Sequence, residues 1–194
     1  MATSRPTSVE HTLANWFIGF PLRPDRWFDA VLADVPPSLQ RSHPADLHVT
    51  VAFLGAVGEA KARDAWATLD GWAATPLDAV LGPVKPFGNV SRPSALAVVL
   101  AGGNEAVSRL VGELRGPMFA AAGVPSDPRG PLPHVTVARP RRRASAAERQ
   151  RAVAWAASVA APLAPVRFDQ VALYTWSDDR RERQFRVVTS RTFW

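Results

Sequence analysis

The sequence predicts an α+β fold, sheets backed by helices, in one domain spanning residues 1–194. Three observations lead there. Segments of alternating and of helical periodicity succeed one another roughly as βαβαββαβαββ, and strands that follow each other directly argue against a doubly wound parallel sheet. No low-complexity linker divides the 194 residues, a length that can bury a core without staples. The pentapeptide His48-Val49-Thr50-Val51-Ala52 returns as His134-Val135-Thr136-Val137-Ala138, so that an equivalent strand is expected in each half of the chain.

The elements follow in order. Asn15 to Phe20 reads as a strand, and Pro24 to Val35 as a helix with Pro24 in its first turn, where a missing N–H costs nothing. Leu47 to Leu54 alternates as a strand and stops at Gly55; Glu59 to Ala74 carries Trp66, Leu69 and Trp72 at helical spacing. Leu77 to Val84 and Ala95 to Leu100 read as two strands, followed by a helix from Glu105 to Ala122 capped by Asn104. His134 to Ala138 is the next strand. Ser145-Ala146-Ala147-Glu148 has capping-box form and opens a helix to Val159. Val166 to Tyr174 and Gln184 to Thr189 close the chain as strands. Between them Asp178, Asp179, Arg180, Arg181 and Glu182 read as a polar hairpin tip.

Composition narrows the chemistry. The chain has no cysteine, which excludes disulfides, thiol catalysis and Cys-based zinc or iron–sulfur centres. A metal would need histidine and carboxylate ligands; His43, Asp46 and His48 lie close together, but no third histidine follows at ligand spacing. No metal or cofactor is expected. The net charge is +6 and nearly all the positive charge is arginine, since Lys61 and Lys85 are the only lysines. Guanidinium groups suit bidentate contact with phosphates, although arginine-favouring codons give the same bias. Met1 to His11 lacks the apolar run of a secretory signal, and Val153 to Val166 is short and broken by Ser158, Pro162 and Pro165. The expectation is a cytoplasmic monomer without membrane contact, with residues 1–13 as a flexible tail.

Side chains at i and i+2 share one face of a strand, so each repeat puts His and Thr on one side and two valines on the other. Burial explains the valines. One isolated His-x-Thr reads equally well as a hydrogen-bonded core pair, but its duplication argues for chemistry. Two imidazoles with ordinary pKa values of about 6.5 can divide the roles of base and acid, as phosphodiester hydrolysis requires. Threonine hydroxyls two residues on can donate to the non-bridging oxygens as charge builds there.

The paired His-x-Thr-x motifs, with Phe53-Leu54-Gly55 after the first and Arg139 after the second, resemble the two-histidine (2H) phosphoesterase superfamily. Within it the chain is similar to the RNA 2′,3′-cyclic phosphodiesterases, also called 2′-5′ RNA ligases or LigT-like proteins. The resemblance spans roughly Trp16 to Val188. It implies a bilobed 2H phosphoesterase fold of two pseudo-symmetric, antiparallel-rich sheets backed by helices around a central cleft, with one motif from each lobe. It also implies metal-independent opening of a 2′,3′-cyclic phosphate at an RNA end to a 2′-phosphate, with ATP-independent 2′-5′ ligation as the reverse. His48 matches the family's acid and His134 its base; the residues alone do not assign these roles. Phe20-Pro21-Leu22 departs from the acidic residue and Leu-Pro pair often found at that place.

Arg139 and Phe53 stand at the same position in the two repeats, five residues after the histidine. One is expected to clamp phosphate, with Thr50 and Thr136, and the other to stack on a base. On an unbroken strand an offset of five points away from the histidines. A bulge or strand end must intervene, and Gly55 and Pro140 mark candidate places. Arg141, Arg142 and Arg143 are either an RNA rail or a solvated loop. Trp176 is a candidate border of the cleft.

Other chemistries lack their motifs. There is no Gly-x-Ser-x-Gly elbow or Walker A sequence, and neither lysine has the Lys-x-Asp-Gly context of an adenylated ligase. The alternative from another class is a non-catalytic nucleotide- or RNA-binding module on the same fold.

Overall fold

The computed structural model describes residues 14–89 and 92–193; the expected tail, residues 1–13, lies outside them. The chain runs β1 (Trp16–Pro21), α1 (Arg26–Leu32), β2 (Leu39–Arg41), β3 (His48–Gly55), α2 (Glu59–Ala67), β4 (Leu77–Asn89), β5 (Arg92–Gly102), α3 (Asn104–Ala122), β6 (His134–Pro140), α4 (Ala146–Ser158), β7 (Pro165–Phe168), β8 (Gln170–Trp176) and β9 (Phe185–Thr192). Strand order is β7-β4-β5-β6-β3-β1-β8-β9, with β2 also paired to β6. Each of these pairings is antiparallel.

The two sheets expected by resemblance are halves of this one sheet, joined at a single residue pair. β3 and β6 meet only at Val49↔Val135. Beyond that point β2 takes over the free edge of β6, pairing Arg41 with Ala138 and Leu39 with Pro140. α2 and α3 pack on each other and α3 on β3, while α4 covers β4 and β5. The helices bury Val107, Val111, Met118 and Trp155 against Ile18, Phe20, Val49 and Val135 of the strands. Among the described residues no helix is long and apolar enough to cross a membrane.

Several boundaries differ from the sequence reading for local reasons. α1 starts at Arg26, because Asp25 and not Pro24 sets its entry: the Asp25 carboxylate accepts from Arg26 N–H at 2.7 Å. α2 stops at Ala67. The segment after it makes tight turns, Leu69 N–H to Trp66 O and Asp70 N–H to Ala67 O, and reaches Gly71 at φ 74°. Leu69 is still fully buried there, so the spacing that suggested more helix reflects a buried turn. Asn104 is the first residue of α3, and Gly103, at φ 73°, stands at its cap. Val166 to Tyr174 divides into β7 and β8 at Asp169, whose carbonyl accepts from Phe193 N–H. The capping box of α4 is formed as expected, with Ser145 and Glu148 bonded reciprocally.

Register decides what the sheet presents. Along β1 and β3 the partners step from Ile18↔Ala52 to Gly19↔Thr50, leaving Val51 as an extra residue. Along β5 and β6 they step from Leu96↔Ala138 to Ala97↔Thr136, leaving Val137 as the extra residue. These are β-bulges at the same repeat position, three residues after each histidine. Each puts two buried residues in succession, Val51 and Ala52 in one strand and Val137 and Ala138 in the other. The inside–outside alternation is thereby reset. Phe53 and Arg139 return to the face of the histidines, as the offset of five requires, through Val51 and Val137 and not through Gly55 or Pro140.

Gly19 sits opposite the first bulge. A Cβ there would stand 2.9 Å from the Val49 carbonyl oxygen and 3.4 Å from the His48 ring. Backbone has little freedom to yield, so Gly19→Ala is expected to destabilise the fold by about 1–3 kcal/mol, as overpacking does. Urea denaturation of the variant measures this.

Candidate active site

His48 and His134 open β3 and β6, and both are half-buried between fully buried neighbours. Each ring is fixed in the same way. His48 Nδ1 donates to the Asp46 carbonyl at 2.6 Å, and His134 Nδ1 donates to the Leu132 carbonyl at 2.7 Å. In both cases the acceptor is the backbone two residues upstream. A carbonyl only accepts, so the proton is held on Nδ1, and Nε2 is the nitrogen that takes or gives a proton.

The antiparallel register through Val49↔Val135 brings each histidine beside the other strand's threonine. His48 shares a narrow basic slot with Thr136 and Arg139. His134 shares a cavity of about 700 Å³ with Thr50 and Phe53. The six residues expected at the site therefore assemble around one strand crossing, three on each side. Arg139 is half-buried, and no carboxylate pairs with it among the described residues. Arg141, Arg142 and Arg143 are exposed and line neither hollow. Trp176 does not border the cleft directly; its ring carries the Arg180 guanidinium at 4.1 Å.

Electrostatics favours uncharged imidazoles at both positions. Burial pulls the His48 pKa down to about 4, helped by the positive charge of Arg139 and by His134, against the opposing bond to Asp46 O. Burial also lowers that of His134, again with a contribution from Arg139. An anion placed beside Arg139 would reverse the charge contribution and make a proton on either ring easier to hold.

Sequence reasoning missed the parts that fix these rings. Asp46 is buried, and its carboxylate accepts from Gln184 N–H at 2.8 Å and Phe185 N–H at 3.2 Å. It ties the approach to β3 to the β8–β9 hairpin. His43 Nδ1 accepts from Ala45 N–H. Of the trio considered for a metal, His43 Nδ1 and the Asp46 carboxylate are thus engaged in backbone hydrogen bonds, while His48 presents Nε2 to the slot. Phe17 packs against the His48 ring at 4.6 Å between centroids, and Tyr174 stacks on Phe17 from its other neighbour strand. Phe87 stacks on His134 at 4.0 Å and 23°. Only position relative to the motifs hinted at any of these, and Phe87 lies far from both in sequence.

The hairpin tip read as merely polar is the largest omission. Arg180, Arg181, Glu182, Arg183, Gln184 and Phe185 form one wall of the slot that holds His48. The signal available was its arginine content beside a strand that had to lie near the first motif.

The sequence profile described as 2′-5′ RNA ligase superfamily matches residues 20–180. Comparison with curated protein sequences returns no match. Among solved structures, the crystal structure of E. coli LigT complexed with 3′-AMP superposes with a TM-score of 0.70 at 17% identity, covering 93% of this chain and 98% of that one. TT0787 of Thermus thermophilus gives a TM-score of 0.66 at 19% identity over 92% and 97% of the two chains. Usb1 of Kluyveromyces marxianus gives 0.56 at 16% identity over 92% and 97%. At these identities the likeness shows the fold.

The shifted imidazoles can be tested by titration. The unfolded chain protonates His48 near pH 6.5, the folded protein only near 4. The unfolded state therefore binds more protons between those values, and stability falls as pH drops from 6.5 towards 4. His48→Gln is expected to flatten the melting temperature across that window. In NMR titrations Phe87→Leu is expected to raise the His134 midpoint towards the ordinary value, since it rehydrates that ring.

Proposed function

The chain belongs to the 2′-5′ RNA ligase superfamily, and from that premise we propose that it is a metal-independent RNA 2′,3′-cyclic phosphodiesterase. Water attacks phosphorus, the bond from phosphorus to the 3′ oxygen breaks, and a 2′-phosphate and a 3′ hydroxyl result. Nε2 of one imidazole takes the proton of the attacking water, and Nε2 of the other gives a proton to the departing 3′ oxygen. Following the family resemblance, His134 is the base and His48 the acid.

The observation that carries this reading is the matched fixing of two imidazoles through Nδ1 on strands that meet at Val49↔Val135. A site built only to bind has no need of two proton-transferring nitrogens held alike. Thr136 and Arg139 supply donors on the His48 side, and Thr50 on the His134 side. They suit the non-bridging oxygens, where charge builds up in the transition state. Burial is the main reason His48 holds its proton poorly, and the charge of a bound phosphodiester opposes this by offsetting Arg139, which eases protonation of that ring. That imidazolium can then give its Nε2 proton to the departing 3′ oxygen. Phe53, 55% exposed at the rim of the large cavity, suits stacking on the terminal base. With the 5′ hydroxyl of a second RNA in place of water, the same ring opening forms a 2′-5′ linkage and frees the 3′ hydroxyl, joining RNA ends without ATP.

Product analysis on an oligoribonucleotide with a 2′,3′-cyclic phosphate end, in chelator, is the direct test. A 2′-phosphate product with turnover unaffected by EDTA is the expected result; binding without turnover would favour the non-catalytic module. His48→Ala and His134→Ala should each cut turnover by about 10²-fold or more. Arg139→Ala should raise KM and lower kcat, with Lys a partial substitute because it lacks the planar fork.

A further inference from the structure

The loop between β8 and β9 lies along the slot that holds His48, Thr136 and Arg139, and most of its side chains there are cationic. Arg180, Arg181 and Arg183 line one wall and Arg41 of β2 lines the slot with them. Little negative charge answers them. The Asp46 carboxylate is occupied by two backbone N–H groups, and Arg181 is paired with Asp179. Glu182 alone remains in the slot. Arg41, Arg180 and Arg183 have no carboxylate partner among the described residues.

The loop is also held in place. Asp46 pins its C-terminal end to the turn immediately before His48. Asp179 closes it from within: its carboxylate accepts from Arg181 N–H, and its carbonyl from Glu182 and Arg183 N–H. The Arg180 guanidinium lies over the Trp176 ring, which orients its plane and leaves its edge N–H groups available. Cations ordered before binding lose less freedom when an anion arrives.

The opposite hollow is wide and walled by Phe53, Phe87, Pro131 and Leu132, which suits a base. The narrow slot suits phosphate. The two hollows adjoin across the β3–β6 crossing, so a strand whose end is seated there passes along the hairpin wall.

Resting on the phosphodiesterase reading, we propose that Arg41, Arg180 and Arg183 form a track for internucleotide phosphates. The preferred substrate is then an RNA strand whose backbone runs along the β8–β9 hairpin, and not a lone cyclic nucleotide.

Fluorescence anisotropy of a 5′-labelled eight-nucleotide RNA ending in a 3′-phosphate, which the reaction cannot open, tests the track across a salt series. R180Q/R183Q should weaken binding by roughly tenfold or more and flatten the plot of log K against log salt by about 0.7 for each phosphate no longer neutralised. R141Q/R142Q/R143Q removes more charge away from the slot and should weaken binding less. A greater weakening in that triple variant, an unchanged salt slope in R180Q/R183Q, or displacement of the RNA by a polyglutamate peptide at equal charge would overturn the proposal. Turnover of a cyclic mononucleotide by the unaltered protein reports separately on the chemistry. Absent turnover with binding that depends on Arg180 and Arg183 rejects the activity and keeps the track; turnover with binding indifferent to them does the reverse.

Discussion

The pairing of Val49 with Val135 is the contact on which the site depends. It is the only ladder position shared by β3 and β6, and the two halves of the sheet diverge from it. A longer ladder would close the space between the halves; none would leave the two motifs unregistered. One pair places each histidine against the other strand's threonine and keeps both rings at the floor of an opening. Both valines are fully buried, so the apolar face of the strands that present His48 and His134 also fixes their alignment.

Much of this was legible because repetition is a strong signal. The duplicated pentapeptide located both strands, their buried faces and four polar side chains, and the offset of five demanded an irregularity that the register supplies. The boundaries that failed were those where burial and periodicity part company, as at Leu69, which is buried in a turn. The hairpin from Ser177 to Gln184 was illegible for another reason: its polar residues look alike whether they face bulk water or a cleft. Phe17 and Phe87 could not be found from the motifs, since their contacts with the histidines are made across the sheet and not along the chain.

The electrostatic state of the site follows from the same architecture. Imidazoles set between buried strands lose hydration, and Arg139 adds positive charge to a region that already disfavours it. A site of this kind is a poor proton store. An anion beside Arg139 would add the opposing charge, so anion binding and protonation are linked. Asp46 lends its carbonyl to His48 and its carboxylate to the hairpin, which ties the orientation of an imidazole to the position of the arginine-rich wall.

The bulges at Val51 and Val137 impose a rule of counting as well as of chemistry. Either residue can be exchanged for another of similar volume with its backbone role intact, since what the extra position contributes is its place in the count. Straightening the bulge without shortening the strand would turn the arginine or the phenylalanine to the valine face; deleting the extra residue would leave an offset of four, which keeps either on the histidine face but about 3.3 Å nearer its histidine. Such strands tolerate drift in spelling far better than a change in length. The number of letters between histidine and arginine thus sets how far the one stands from the other, whatever the letters are.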